Sequence, residues 1–560
     1  MIKADRFLAC AVLATLVCGL QGVAHAQTVD SERTNGLVRQ ALERYAMETQ
    51  SPAPGQAPAS AAAASTATVP LKLDEAVKLA LDHNLDISVQ RLDPQTFDFS
   101  LASLRSAYRP TLSSTFGPRS STTPPTSTLN GGTGGVETAT KPYNTGVSQG
   151  LPWGGGNYTF AWNNSKQTTN NTLANYNPQF SSSFSFALTQ PLLQGLRIDS
   201  TRQQLLVTRI SQQMSEDQLR AVITNTLANV RNAYWDFVYA VQAVDAARQS
   251  LTLAQRLLDD NKIRVEVGTL APLDVLQSES EVATRQQTLT QVQANQRTAE
   301  LAFKRLIVGG TDDPLWRATI NPVDRPTFSS VAIDLDAALR TALDNRTDLV
   351  QARRQVQAND ITLRYIQDST LPSLNLSATY GAQGVGGTQF TRSGSGPSAI
   401  ITGTIPGGYG DALSTLGQRL YPNWNVAFTF SYLLGTSAMD ARRGRARIQL
   451  AEAAAQVRAM ELQVATDVTN AALQVENART RIEAAGAARV LVQRRLEAEQ
   501  SKFEVGMSTT FLVTQAQRDL ADAQNTELGA NRDYAKALVD FDRFQQTTST
   551  RTTILTVSTQ

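Results

Sequence analysis

The chain has 560 residues, 41% hydrophobic and 18% charged, which is the composition of an ordinary protein rather than of a low-complexity one. Its 51 basic and 49 acidic residues leave a formal net charge of +2, so nothing electrostatic argues for nucleic acid or for a polybasic membrane-surface segment.

The N-terminus is informative. Lys3 and Arg6 precede an apolar run from Phe7 to Leu20, and Ala24-His25-Ala26 supplies a small-x-small cleavage pattern. Residues 1–26 therefore read as a secretory signal with Gln27 as the mature start. Val17 before Cys18 does not suit a lipidated cysteine, so no lipid anchor is expected. Both cysteines, Cys10 and Cys18, fall inside the signal. The exported chain then has no disulfide, thiol nucleophile or cysteine metal site. No other stretch reaches the ~18–20 apolar residues of a membrane-spanning helix. If the chain enters a membrane, it does so through β-strands.

Residues 27–70 form an N-terminal segment, with a short helix near Leu37 to Met47 and an Ala/Pro/Ser-rich linker from Ser51 to Val69. From Leu73 a pattern starts that later recurs. Leu73-Asp74-Glu75-Ala76 through Asp86 finds its counterpart in Leu335-Asp336-Ala337-Ala338 through Asp348, and the register holds to Pro110 and Pro372. The chain is thus read as a duplication: a first repeat at 73–308, a connecting segment at 309–334, a second repeat at 335–545 and a tail at 546–560. His83 lies on a polar helix face without partners and is read as a solvated residue.

After each proline the period changes to two. Trp424, Val426, Phe428, Phe430 and Tyr432 alternate with small or polar residues, as do Phe184, Phe186 and Leu188. These predict strands within 111–189 and 373–433, with one aromatic face and one face of Ser, Thr and Asn. The Gly/Ser/Thr/Pro-rich stretches 117–140 and 381–421 are expected to be loops. Tyr158, Phe160 and Trp162 suggest an added hairpin in the first repeat, and its place, in the sheet or on a loop, stays open.

Residues 202–267 contain neither Gly nor Pro and carry a heptad seam. Ile223, Val230, Phe237, Val244, Leu251, Leu258 and Val265 run along it, with Ala233, Ala240, Ala247 and Ala254 beside them. A helix of that span would be about 100 Å long at about 1.5 Å per residue. The second repeat offers a matching helix at 437–505. Each ends at a glycine-centred corner, Val267-Gly268-Thr269 and Val505-Gly506-Met507, and each corner leads into a returning helix, 273–308 and 510–545.

This order of duplicated helix, strands, long helix, Val-Gly corner and returning helix, with Gln190-Pro191-Leu192-Leu193, resembles the TolC-like outer-membrane efflux protein family. The resemblance runs from about Leu73 to Gln545. It implies an α+β membrane protein, a homotrimer in which an outer-membrane β-barrel continues into a long periplasmic coiled-coil α-helical barrel. It implies an exit duct for substrates passed on by an inner-membrane pump and a periplasmic membrane-fusion adaptor, most readily small molecules. A type I protein secretion channel is the alternative within the family, and an exported non-channel coiled-coil scaffold the alternative outside it. Adaptor docking carries over to Val267, Gly268, Thr269, Val505, Gly506 and Met507. Asp274, Gln277, Ser508, Leu512 and Gln515 occupy the positions of a gate, although the second repeat lacks the charges such a gate commonly holds. Pro110, Pro191 and Pro372 mark the passages from helix to barrel. Outer-membrane lipid is the expected surroundings, and no nucleic acid, catalytic group, cofactor or metal is expected. Asp259-Asp260 and Asp312-Asp313 read as solvated charge rather than as an acid/base pair.

Overall fold

The computed structural model describes residues 68–124, 135–325, 333–394, 400–435 and 437–545. The signal expected at 1–26, almost all of 27–70, part of 309–334 and the tail at 546–560 lie outside them. The chain forms two compact units that interleave along the sequence. One comprises Met1–Thr96, Gln212–Arg354 and Ala454–Gln560, and the other Phe97–Ser211 and Gln355–Ala453. The units therefore cut across both repeats. Packing groups like elements of the two repeats together rather than each repeat with itself.

The first unit is helical. It holds β1 (Thr68–Leu71), α1 (Leu73–His83) and α2 (Leu85–Gln90), while α3 (Asp93–Ser106) leads into the other unit. It takes most of α4 (Ser200–Glu266), then α5 (Pro272–Ile307), α6 (Pro314–Arg317), β7 (Thr319–Pro322), α7 (Leu335–Asn345) and the start of α8 (Thr347–Ser369). It also takes most of α10 (Ala438–Glu504) and all of α11 (Thr510–Gln545). Val230 and Phe237 of α4 and Phe303 of α5 are fully buried, packed with Ala76 and Ala80 of α1. The corresponding residues of the second repeat do the same: Val464 and Val468 of α10 bury Ala338 and Ala342 of α7. Alanines at the contact let helix backbones approach closely where larger side chains interleave beside them.

The hydroxyl of Tyr234 in this core is satisfied. The Tyr234 hydroxyl lies 3.2 Å from both the Leu71 carbonyl oxygen and Asp324 Oδ2, and accepts the Asp324 N–H at 3.2 Å. Burial, the leading cause, pushes this phenol well above its ordinary range. Strands β1 and β7 pair in parallel beside it, and the Ile320 N–H donates to Glu300 Oε1, itself 2.8 Å from Lys304 Nζ.

The second unit is an antiparallel sheet. Its strands are β2 (Thr111–Phe116), β3 (Arg119–Thr123), β4 (Val136–Gly150), β5 (Asn157–Thr169), β6 (Tyr176–Pro191), β8 (Ser373–Ser393), β9 (Ile400–Ile405) and β10 (Tyr421–Ser431), with α9 (Tyr409–Gly417) packed on it. The order is β10-β8-β6-β5-β4-β2, with β3 continuing the β2 edge along β4 and β9 continuing the β10 edge along β8. One row of partners crosses all six principal strands: Leu112, Val147, Phe160, Phe186, Tyr380 and Trp424. The next row is Ser113, Gly146, Ala161, Ser185, Gly381 and Asn423. Successive rows face opposite sides, so one face of the sheet is aromatic and aliphatic and the other small and polar. The apolar face is open: Leu112 is 69% exposed and Trp424 75%.

Two loop expectations are corrected. Within 117–140 lie β3 and the start of β4, and within 381–421 lie most of β8, all of β9 and α9. Glycine there serves close packing rather than freedom of the chain: a Cβ on Gly386 would stand 2.7 Å from the Gly408 carbonyl oxygen, under the N-terminus of α9. The expected hairpin is resolved as well. Strand β5 carries Tyr158, Phe160 and Trp162, and it lies inside the sheet between β4 and β6.

In the returning helix α11, Ala516 and Ala530 are buried, whereas Ala523 of the same seam is only half-buried. Ala530 packs with Val475, Ala478, Ile482 and Tyr534. Ala530→Leu should overpack this layer at a cost of about 1–3 kcal/mol. Thermal unfolding followed by helical circular dichroism should show a lower midpoint, and an unchanged midpoint would mean that the layer has room to spare.

Candidate functional site

The two corners are built alike. At the end of α4 the Thr269 N–H donates to the Arg264 carbonyl at 2.8 Å and the Gly268 N–H to that of Val265 at 3.0 Å. At the end of α10 the Met507 N–H reaches the Lys502 carbonyl at 2.8 Å and the Gly506 N–H that of Phe503 at 3.2 Å. This paired closure satisfies the last carbonyls of a helix and needs a left-handed residue. Gly268 and Gly506 both have φ of 78°. Nothing lies within 4 Å of where a Cβ would stand on either, so the backbone alone requires glycine there. Pro272 then opens α5 at its first turn, where a missing N–H costs nothing.

The corners turn apolar side chains outward. Val267, Val505 and Met507 are each more than 70% exposed, and Thr269 is exposed beside them. Leu273 and Leu276 of α5 and Phe511 of α11 are exposed too. Sequence reading passed over these three. Their signal was there: all three are large apolar residues that follow closely on a glycine corner.

Beneath the corners the two hairpins share a core. Leu257 of α4 packs with Leu496 and Phe503 of α10 and with Val513, Ala516 and Leu520 of α11. The Arg264 guanidinium lies 4.5 Å from the centre of the Phe503 ring and donates to the Phe503 carbonyl. Asn261 is fully buried and donates from Nδ2 to Ser278 Oγ at 2.8 Å. Ser278 passes the bond on to the Asp274 carbonyl at 2.9 Å.

One buried carboxylate ties the hairpins together. Glu281 of α5, 3% exposed, accepts from Arg285 Nε at 2.7 Å and from Arg518 of α11, whose Nε lies at 3.0 Å. Burial works to raise its pKa, but the bonds from Arg518 and Arg285 prevail and hold it below the ordinary carboxylate value. Neither Glu281 nor Arg518 was singled out from the sequence, because nothing local connects them.

The expected gate positions are arranged differently. Asp274 is half-buried, and among the described residues no cation lies within 4 Å of its carboxylate. Gln277 is exposed, Leu512 is 43% exposed, Ser508 donates to Glu499 Oε2 at 2.8 Å, and Gln515 donates to Asp519 at 2.8 Å. The charged tie between hairpins thus sits further along the helices than these positions. At the sheet, Pro110 and Pro372 precede β2 and β8, and Pro191 closes β6, after which the Leu192 N–H donates to the Leu374 carbonyl at 2.8 Å. Asp259 and Asp260 are exposed, and Asp313 accepts the Leu315 N–H at 2.9 Å as the cap of α6.

The chain matches the model of the outer membrane efflux protein family over residues 157–309 and 338–543. No curated protein sequence matches it. Among solved structures, the CmeC outer membrane channel of Campylobacter jejuni is similar at 15% identity and a TM-score of 0.59, covering 85% of each chain. The outer membrane protein VceC of Vibrio cholerae is similar at 12% identity and a TM-score of 0.58, covering 85% of this chain and 96% of that one. The open state of the MtrE outer membrane channel of Neisseria gonorrhoeae gives 14% identity and a TM-score of 0.56, covering 87% of this chain and 93% of that one. At such identities the structures attest the fold alone, while the family match spans more than half of the chain. The chain belongs to the outer membrane efflux protein family and resides in the outer membrane of a Gram-negative bacterium, extending into the periplasm.

Proposed function

We propose that the chain is one third of a trimeric exit duct, which carries small molecules from an inner-membrane pump and its periplasmic adaptor to the exterior. The observation that carries this reading is the sheet: one face apolar and open, the other small and polar, with β2 and β10 at its edges. A bilayer tolerates no unpaired strand edge, so β2 and β10 need partners. Neighbouring copies supply them when three sheets close one barrel, lipid outside and water within. The helices support the same assembly, since α10 leaves Leu462, Leu473 and Leu491 more than half exposed on a surface of coiled-coil type. A protein secretion channel would share this duct and differ in its pump. A non-channel scaffold would leave the aromatic face without a purpose.

The corners fit the docking of an adaptor. Their exposed Val267, Val505, Met507, Leu276 and Phe511 form apolar tips that rigid glycine turns hold in place. The Glu281 to Arg518 tie fits a closure of the inner end, because it joins the two hairpins through a buried carboxylate. Asp274, Gln277, Ser508, Leu512 and Gln515 would line that end as its uncharged or singly charged rim.

The duct reading predicts that the full-length protein fractionates with detergent-soluble membranes, runs as a trimer by light scattering and forms channels in a planar bilayer. A monomer that keeps its helical circular dichroism and conducts nothing would sink it. Gly506→Asp should strain the corner by about 1–2 kcal/mol, the cost of a left-handed backbone in a residue with a side chain, and place charge in the apolar tip. Crosslinking to the adaptor should fall while bilayer insertion persists, and undiminished crosslinking would remove the docking assignment. Arg518→Gln should raise conductance at neutral pH by loosening the tie. Glu281 titrates in the folded protein below its ordinary value of 4.5, so the tie is fully present above about that pH and is lost as pH falls through the lower folded value. The difference between variant and wild type should therefore vanish under strong acid and persist at pH 5 to 8. A conductance difference that is flat across the whole range would clear Glu281 of the role.

A further inference from the structure

We infer that the β4-β5 hairpin widens the outer-membrane pore, giving the trimeric barrel eighteen strands and a bore that passes solutes too broad for the unextended plan. The inference rests on the trimeric duct proposed above and adds its width. In the second repeat one outgoing strand, β8, and one returning strand, β10, pair directly with each other. In the first repeat the corresponding strands are β2 and β6, and they do not pair: β4 and β5 stand between them. The duplicated plan is therefore two strands per repeat, and the first repeat has gained two more.

The added strands are wall rather than ornament. β4 has 15 residues and β5 has 13, each enough for the ~9–11 residues of a membrane-crossing strand. They continue both faces of the sheet without a change of register. Val147 and Phe160 fill the apolar row between Leu112 and Phe186, and Gly146 and Ala161 fill the polar row beside it. A hairpin laid over a loop would have no reason to match the alternation of its neighbours. The turn at the helical end is held as well, since Gln190 Nε2 donates to the Gly154 carbonyl at 2.7 Å.

Strand number sets barrel width. With strands about 4.8 Å apart and tilted by about 40°, eighteen strands give a backbone diameter of about 36 Å, against about 24 Å for twelve. After side chains of Ser, Thr, Ala and Gly size line the inside, the open radius is about 13 Å rather than about 7 Å. An eighteen-stranded barrel lies in the range that leaves an aqueous channel.

The experiment is polymer exclusion on the full-length protein in a planar bilayer. Polyethylene glycols of graded hydrodynamic radius are added to each side of the bilayer in separate runs, and the larger cutoff is taken. Wild-type conductance should respond to polymers up to about 13 Å in radius, the open radius of the eighteen-stranded barrel. A chain lacking residues 137–175, in which β2 and β6 can pair, should respond only up to about 7 Å, the open radius for twelve strands. Electron-microscope projections of the intact wild-type trimer down its axis, which need no variant to fold, should show a barrel about 36 Å across. A wild-type cutoff of about 7 Å, or a projected barrel of about 24 Å, is the twelve-stranded result and overturns the inference while leaving the duct intact. Absence of a trimer or of channels would instead bring down the duct, and with it the eighteen-stranded barrel.

Discussion

The constraint on which the structure turns is the unpaired edge of a sheet that belongs in lipid. Backbone N–H and C=O groups without partners cost several kcal/mol each in a hydrocarbon environment, so strands cross membranes only in closed barrels. A single chain ends its sheet at β2 and β10 and leaves Leu112, Phe160, Phe186 and Trp424 of its apolar face exposed. Alone it would be a poorly soluble fragment. In the proposed duct, closing that sheet with further copies would account at once for the open apolar face, for the Ser, Thr, Asn and Gly of the opposite face, and for long helices that carry more seam than one chain buries.

The helical unit solves a different problem. Two hairpins from the two repeats pack together, and the proposed gating requires that they also separate. Most of their interface is apolar, with Leu257, Leu496, Val513 and Leu520 in one layer, and apolar contacts of this kind tolerate sliding. The polar groups do not. Glu281 with Arg285 and Arg518, and Asn261 with Ser278, give a geometry that is correct in one register only. Buried ion pairs add little net stability, but breaking one leaves a charge without compensation. Such contacts suit a latch better than a glue.

Glycine plays opposite parts in the two units. At Gly268 and Gly506 it supplies a left-handed backbone in open space, and at Gly386 it makes room for a helix to lie against a strand. Composition alone does not separate these uses. The stretch 381–421 looked like a loop because its glycines, serines and threonines are those of a loop, whereas in the fold they form a strand long enough to carry α9 on its surface.

What the sequence determined by itself is what local periodicity encodes. The seam of Val230, Phe237 and Val244 requires a helix with one buried face, the alternation at Trp424, Val426 and Phe428 requires a strand with two unlike faces, and the glycine corners and prolines require ends. The offset between Leu73 and Leu335 reveals the duplication, because equivalent positions such as Ala76 and Ala338 meet equivalent partners. Tertiary structure alone decided three things: that β4 and β5 stand inside the sheet, that α9 rests on the apolar face of β8, and that Glu281 meets Arg518 from 237 residues away. Each is a pairing between distant segments. A strand's period states which side chains share a face but not which strand lies alongside, and a charge on a helix carries no mark of the partner that burial will bring to it.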